Sequence, residues 1–279
     1  MPELPEVETV CRGLAKALVG ARIKAAAAHR KNLRAPLPQN LGAKLKGRKI
    51  LAVTRRAKYI LISLDKGLTL LLHLGMSGRI TLSREDLPLQ KHDHISLSFD
   101  NGWHARFNDP RRFGYCDLVP TAEIFEHKLL KELGIEPLSK AFTPKALALI
   151  LGRRKTTIKA ALLDQKLVAG IGNIYACEAL FHAGLSPKRR AGSCSALEIT
   201  KLVAAIGKTL RKAIAAGGSS LRDYVNADGE LGYFQHHFAV YDKKGLPCPH
   251  CICDVQKTKG IVRITQAGRS TFYCQTKQK

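Results

Sequence analysis

Acidic residues are scarce in this chain. Asp and Glu number 22 against 46 Lys and Arg in 279 residues, a formal net charge of +24 and a pI near 10.0. A surface this short of anions attracts a polyanion, and nucleic acid is the commonest one in a cytosol. No apolar run is long enough and free enough of charge to span a bilayer, and no basic amphipathic helix of the interfacial type occurs, so a membrane is not the expected partner. The N-terminus does not read as a secretion signal, which leaves a cytoplasmic protein as the expectation. There is no internal repeat. The apolar fraction, 45%, suffices for real cores, and at ~100–200 residues per domain the length suggests two domains and a small third.

The eight cysteines fall into two sets. Cys11, Cys116, Cys177 and Cys194 are scattered in apolar or mixed surroundings and read as buried thiols, since a cytosol does not sustain disulfides. Cys248, Cys251, Cys253 and Cys274 crowd near the C-terminus, which asks for a metal explanation.

The chain opens Pro2-Glu3-Leu4-Pro5-Glu6-Val7-Glu8-Thr9. With Met1 removed, Pro2 carries a free secondary amine of pKa near ~8. Such an amine can attack a sugar carbon, with the Glu3 carboxyl beside it to manage protons. The plainer reading is helix capping: Pro5, Glu6 and Glu8 suit a first turn, Val7, Val10, Cys11, Leu14 and Leu18 recur at helical spacing, and Gly20 follows as a stop. That reading leaves Pro2-Glu3 unexplained.

After this helix the chain is strand-rich. Ile50–Leu64 is a long β-branched and aromatic stretch, and Leu68–Leu74 returns from it beyond Asp65-Lys66-Gly67. His94–Phe99 and Trp103–Phe107 flank Asp100-Asn101-Gly102, a tight-turn signal, and Tyr115–Val119 is a further short strand. These elements argue for a β-sandwich with the N-terminal helix against it. From Thr121 the period changes: Phe125, Leu129, Leu130 and Leu133 share a helical face, Thr143-Pro144 opens a capped helix, and Thr156–Gln165 and Leu197–Ala216 read as helices. The expected domains are 1–120, 121–235 and 236–279, with a glycine-bearing loop over 217–235.

Two local patterns suggest binding. Gly170-Ile171-Gly172-Asn173 precedes an apolar helix, with Asn173 as its expected N-cap and exposed amides suited to a phosphate. Cys248-Pro249-His250-Cys251 has the spacing of a zinc knuckle, and Cys274 could add a third thiolate. The expected second Cys-x-x-Cys fails, because residue 277 is lysine. Cys253 or His250 could stand in, and the plainer alternative is a zinc-free hairpin held by packing.

Together these pieces resemble the formamidopyrimidine-DNA glycosylases. The resemblance spans essentially the whole chain. It is carried by Pro2–Thr9, Arg55-Arg56-Ala57-Lys58-Tyr59, His73-Leu74-Gly75-Met76-Ser77-Gly78, Lys91-His92-Asp93-His94, Asn108-Asp109-Pro110-Arg111-Arg112-Phe113-Gly114, Gly172-Asn173-Ile174-Tyr175-Ala176 and Ala267–Cys274. It implies an α+β multidomain fold: a β-sandwich with its N-terminal helix, a helix–two-turn–helix domain, and a C-terminal zinc-finger-like β-hairpin, with duplex DNA in the cleft between the halves. It implies a bacterial, nucleoid-associated, monomeric enzyme that excises oxidised purines such as 8-oxoguanine and formamidopyrimidines, and nicks the strand at the resulting abasic site by β,δ-elimination.

The resemblance also implies roles for residues. Pro2 is the nucleophile, Glu3 the proton donor, Lys58 a second general acid/base, and Arg269 the phosphate clamp of δ-elimination. Read alone, Lys58 is one more cation in a basic strand and Arg269 a surface arginine. Base removal from a duplex requires extrusion of the nucleotide. Met76, Arg111 and Phe113 match the side chains that fill the gap, Arg111 reaching the orphaned cytosine; without the match, Met76 and Phe113 read as ordinary core. His92, Arg154, Lys159, Asn173 and Tyr241 fall at DNA-backbone positions. The 217–235 segment, with Ser219, Ser220, Asp228, Gly229 and Gly232, corresponds to a loop over the extruded purine. One Zn2+ per chain is implied, held by Cys248, Cys251, Cys274 and a fourth ligand, for which Cys253 is the candidate. The tail departs from the family in Lys277 and in a longer span from Cys251 to Arg269. The rival readings are an endonuclease VIII-like glycosylase for oxidised pyrimidines, a non-catalytic lesion binder, and a zinc-finger transcription factor.

Overall fold

The computed structural model describes residues 2–219, 232–249 and 253–279. Most of the expected loop over 217–235, including Ser220, Asp228 and Gly229, and likewise His250 and Cys251, lies outside the described residues. Internal contacts divide the chain into two units, residues 1–132 with 214–235, and residues 133–213 with 236–279.

The first unit opens with helix α1 (Leu4–Leu18), which has a proline in its first turn and the amide of its N-cap residue Glu3 donating to Glu6 Oε2 at 2.8 Å. Gly20 follows with φ +91°. Leu4, Val7, Val10, Leu14 and Leu18 form its inner face, none more than 1% exposed. Each such side chain gains about 1.5–3 kcal/mol by leaving water, so an aspartate at Leu14 would break the helix from its sheet. The chain continues through β1 (Ile23–Ala28), α2 (Leu41–Leu45), β2 (Ile50–Arg56), β3 (Tyr59–Leu64), β4 (Leu68–His73), β5 (Arg79–Ser83), β6 (Asp93–Phe99), β7 (His104–Asn108) and β8 (Tyr115–Pro120). Two antiparallel sheets result, in the orders β1-β6-β7-β5 and β2-β3-β4-β8. Their alternating inward residues, among them Ile60, Ile62, Leu70, Leu72, Ile80, Ile95, Phe99 and Phe107, share one core with α1. This is the expected sandwich.

Two details differ from expectation. Ile50–Leu64 is not one strand: β2 and β3 pair antiparallel, Arg56 opposite Tyr59, around a turn in which Ala57 takes φ +52°. Arg55 braces this turn, donating to the Ala57 carbonyl at 2.8 Å and pairing with Glu8 at 3.0 Å. Beyond β8, the periodic Phe125, Leu129, Leu130 and Leu133 do not form an α-helix. A 3-10 helix covers Thr121–Glu126, and i→i+3 bonds follow from His127 to Ile124 and from Leu130 to His127. His127 is held by Asp117 at 3.3 Å, which fixes that tighter path, and Phe125 is left 62% exposed.

The second unit contains α3 (Pro144–Leu151), α4 (Ile158–Leu163), α5 (Asn173–Ala183) and α6 (Ala196–Ala215), the last passing into the first unit at Ile214. Thr143 caps α3 through the Ala146 amide as expected. Helices α4 and α5 with the turns between them form the helix–two-turn–helix. Gln165 braces those turns, its amide donating to the Leu163 and Ile171 carbonyls and its oxygen accepting from Gly170. The short helix α7 (Val255–Thr258), capped by Asp254, precedes the hairpin β9 (Val262–Gln266) and β10 (Arg269–Tyr273). Ala267 and Gly268, at φ +47° and +71°, make its turn, as a two-residue hairpin requires. Among the described residues no helix is long and apolar enough to cross a membrane.

Candidate active site and nucleic-acid interface

At the start of the first unit Pro2 and Glu3 are buried, Glu3 to 3% exposure. Glu6 does more than cap α1. While its Oε2 holds the Glu3 amide, its Oε1 accepts from the Ser219 amide at 2.8 Å and the Ser219 hydroxyl at 3.1 Å. One carboxylate thus ties the residue beside the candidate nucleophile to the segment that leads into residues 220–231. The sequence pattern marked Glu6 only as a helix-start residue.

Lys58 sits in the β2–β3 turn, 6% exposed. His73, at the end of β4, pairs across the sheet with Tyr59, and its ring lies 4.8 Å from the Tyr59 ring. Burial first, and then the charges of Lys58 and Arg34, bring the His73 pKa down to about 4. The ring is therefore neutral at pH 7, and its Nδ1 accepts from the Gly75 amide at 3.0 Å. Protonation would destroy that acceptor.

Gly75 leads into Met76, which is 40% exposed. Arg111 and Phe113 lie on the β7–β8 loop, Phe113 44% exposed with the Arg111 guanidinium 5.0 Å from its ring. Beneath them is Asp109, 0% exposed. Its Oδ1 accepts from the Ser77 hydroxyl at 2.6 Å and its Oδ2 from the Gly114 amide at 2.7 Å. Its own amide donates to the His92 carbonyl at 3.0 Å, so the turn bearing His92, at φ +76°, joins the same assembly. Met76, Arg111, Phe113 and His92 are thereby brought to one place. Ser77 and Asp109, which connect them, had no role in the sequence reading.

In the second unit Lys159 is 0% exposed. Its ammonium donates to Asn173 Oδ1 at 2.6 Å, Thr271 Oγ1 at 2.6 Å and the Ser270 carbonyl at 3.2 Å. Asn173 is not the cap of α5; Gly172 is. Its side-chain amide donates instead to the Ser270 carbonyl at 2.8 Å and the Tyr241 hydroxyl at 3.4 Å. Lys159, Asn173 and Tyr241 therefore meet at the hairpin, one residue from Arg269, which is exposed just past the turn. Arg154 is also exposed, its Nε held by the Ile150 carbonyl at 2.8 Å. Glu178, absent from the sequence reading, is fully buried and accepts the amides of Ala239, Val240 and Tyr241 at 2.7–2.9 Å. Burial pushes its carboxyl above the usual range, and those three amides oppose the shift.

The sulfurs of Cys248, Cys253 and Cys274 all lie within 4.8 Å of one another, Cys253 and Cys274 at 3.5 Å. Tetrahedral zinc with Zn–S of about 2.3 Å spaces its sulfurs by roughly 3.7 Å, so the three fit one metal ion. Cys253 is disulfide-bonded in this structure, and a ligand sulfur is a thiolate, so the fit belongs to the reduced protein. Lys277, at the expected cysteine position, donates its amide to Cys274 Sγ at 3.5 Å and sets its ammonium 4.3 Å from the Phe181 ring.

Residues 1–116 match the family described as formamidopyrimidine-DNA glycosylase N-terminal domain, and residues 133–225 that described as formamidopyrimidine-DNA glycosylase H2TH domain. The chain is 52% identical over 282 residues to the formamidopyrimidine-DNA glycosylase of a Ruegeria species, covering 98% of each. It is similar to the crystal structure of the MutM (Fpg) protein of Thermus thermophilus, with a TM-score of 0.86 and 41% identity over 99% of this chain and 98% of that one. Lactococcus lactis Fpg, in complex with DNA containing an abasic site, gives a TM-score of 0.89 at 35% identity over 100% of both chains. With both units matched and the likeness running from end to end, the chain belongs to the formamidopyrimidine-DNA glycosylase family.

Proposed function

We propose that this protein is a bifunctional DNA glycosylase and abasic-site lyase of base-excision repair, acting on duplex DNA that contains 8-oxoguanine or formamidopyrimidines. The observation that carries this reading is full-length likeness to relatives of that name in a chain that opens Pro2-Glu3 with Glu3 buried and held by Glu6. Pro2, freed of Met1, attacks C1′ with its lone pair. The C1′–N bond breaks and the base leaves, taking up a proton. Pro2 gives up its N–H proton, the C1′–O4′ bond opens as O4′ takes a proton through Glu3, and an iminium joins Pro2 to the opened sugar. Loss of a C2′ proton expels the 3′ phosphate, and a second elimination expels the 5′ phosphate. Lys58 serves as the second acid/base group, and Arg269 clamps a phosphate.

Met76, Arg111 and Phe113 fill the space left by the extruded nucleotide. His92, Arg154, Asn173 and Tyr241 fix the DNA backbone, and Lys159 holds Asn173 and the hairpin from within. In the reduced protein Cys248, Cys253 and Cys274, with Cys251, would hold one zinc ion, whose contribution would be structural, tying together the hairpin that presents Arg269. The working domains are 1–120, 121–235 and 236–279, in a monomer that acts in the cytoplasm on the bacterial nucleoid.

The test is borohydride trapping on a duplex with 8-oxoguanine opposite cytosine. Protein lacking Met1 should give a covalent complex, and protein that keeps Met1 should give none. Wild-type protein that yields no complex refutes the mechanism.

A further inference from the structure

The proposed wedge is drawn from two loops far apart in sequence, Met76 from β4–β5 and Arg111 with Phe113 from β7–β8. Independent loops with long exposed side chains would each lose conformational freedom on entering a duplex. Here the backbone beneath them is already joined. Ser77 Oγ donates to Asp109 Oδ1 and also accepts the Arg111 amide at 3.2 Å, while Asp109 Oδ2 holds the Gly114 amide. The bonds therefore bracket Phe113 on both sides and reach the residue after Met76. The two backbones also abut. Gly75 has φ +65°, and a Cβ there would lie 2.4 Å from the Phe113 carbonyl carbon and 2.5 Å from its oxygen. Ser77 is 5% exposed and Asp109 0%, so water does not compete for these bonds.

We propose that Ser77 and Asp109 are positioning residues that lock both loops into one preformed wedge, so that Met76, Arg111 and Phe113 enter the base stack together. This rests on the base-excision reading above. Neither residue acts on the sugar; their effect is confined to substrates whose stack must be opened and filled.

The principal test is Ser77→Ala, which deletes one hydroxyl and leaves the Arg111 amide without its acceptor and Asp109 Oδ1 without its donor. Losing such a bond lowers the population of the locked wedge by roughly tenfold or more. Single-turnover excision of 8-oxoguanine from a duplex should fall by that factor. Borohydride trapping on a single-stranded abasic oligonucleotide, which has no opposing stack, should stay within about twofold. Without DNA, hydrogen exchange should quicken at Gly75 and Gly114 together in the variant. Wild-type-like excision by Ser77→Ala overturns the proposal, as does an equal loss on both substrates, or faster exchange in one loop alone. If wild-type protein traps no damaged duplex, the functional reading fails, and the exchange measurement still decides whether the loops are coupled.

Discussion

The buried ammonium of Lys159 allows two kinds of DNA-binding residue to be told apart. A lysine that touches a phosphate releases a counterion on binding, and its loss lowers the slope of log K against log salt by about one. Lys159 has no exposed surface and directs its ammonium at Asn173, Ser270 and Thr271. Replacing it with methionine keeps length and apolar volume and removes three bonds from a charged donor, each worth about 1.5–3 kcal/mol. Several kcal/mol return because an ammonium no longer has to be desolvated. The net loss of stability should be about 2–4 kcal/mol, concentrated where the hairpin meets α4 and α5. In a fluorescence-anisotropy titration against an abasic-analogue duplex, Lys159→Met should bind more weakly at every salt concentration with an unchanged slope. Arg154→Ala, at an exposed site, should reduce the slope by about one and leave thermal unfolding alone. A Lys159→Met protein of wild-type stability whose slope falls by about one would refute the reasoning, because the ammonium would then have to reach the DNA itself.

Three further outcomes follow from the geometry. His73 has its pKa lowered from 6.5 to about 4, so between those values the unfolded chain binds a proton that the folded one refuses. The corresponding stability is complete above pH 6.5 and is lost as pH falls toward 4, at most about 3 kcal/mol in all; His73→Asn should flatten this acid limb in urea unfolding, and superimposable limbs would contradict it. Gly75→Ala should cost about 1–3 kcal/mol from the left-handed backbone alone, with more from the clash at Phe113, and a Tm equal to wild type would show that the loop simply moves aside. Metal analysis of reduced protein should find about one zinc per chain, and Cys253→Ser should lower both zinc content and the Tm of the second unit; full zinc occupancy in that variant would remove Cys253 from the ligand set.

Legibility in the sequence follows the distance over which a residue acts. The amphipathic face of α1, the strand alternation and the Thr143 cap depend on neighbours within a few positions, and they read correctly. The Ala57-Lys58 turn did not, because neither residue is a usual turn former; the left-handed alanine is held by Arg55 and by sheet pairing. The stretch from Phe125 to Leu133 carried a helical period, but His127 is drawn to Asp117 and the chain takes a tighter path. Ser77 and Asp109 are 32 residues apart and Glu6 and Ser219 are 213 apart, so no local pattern announces them. The motifs contained most of these residues without saying what they hold. For Lys159, the resemblance implied a place at the DNA backbone, and its burial shows that its ammonium has partners within the protein.

The three amides gathered by Glu178 have a bearing on how the polypeptide is made. They come from positions 61 to 63 residues further along the chain. While the nascent chain is still emerging from the ribosome, α5 carries a carboxylate destined for the interior with nothing yet to receive it. The carboxylate therefore gains these partners only after residues 239–241 have been made, and a truncation before residue 239 would strand an acidic group where the finished protein keeps out water.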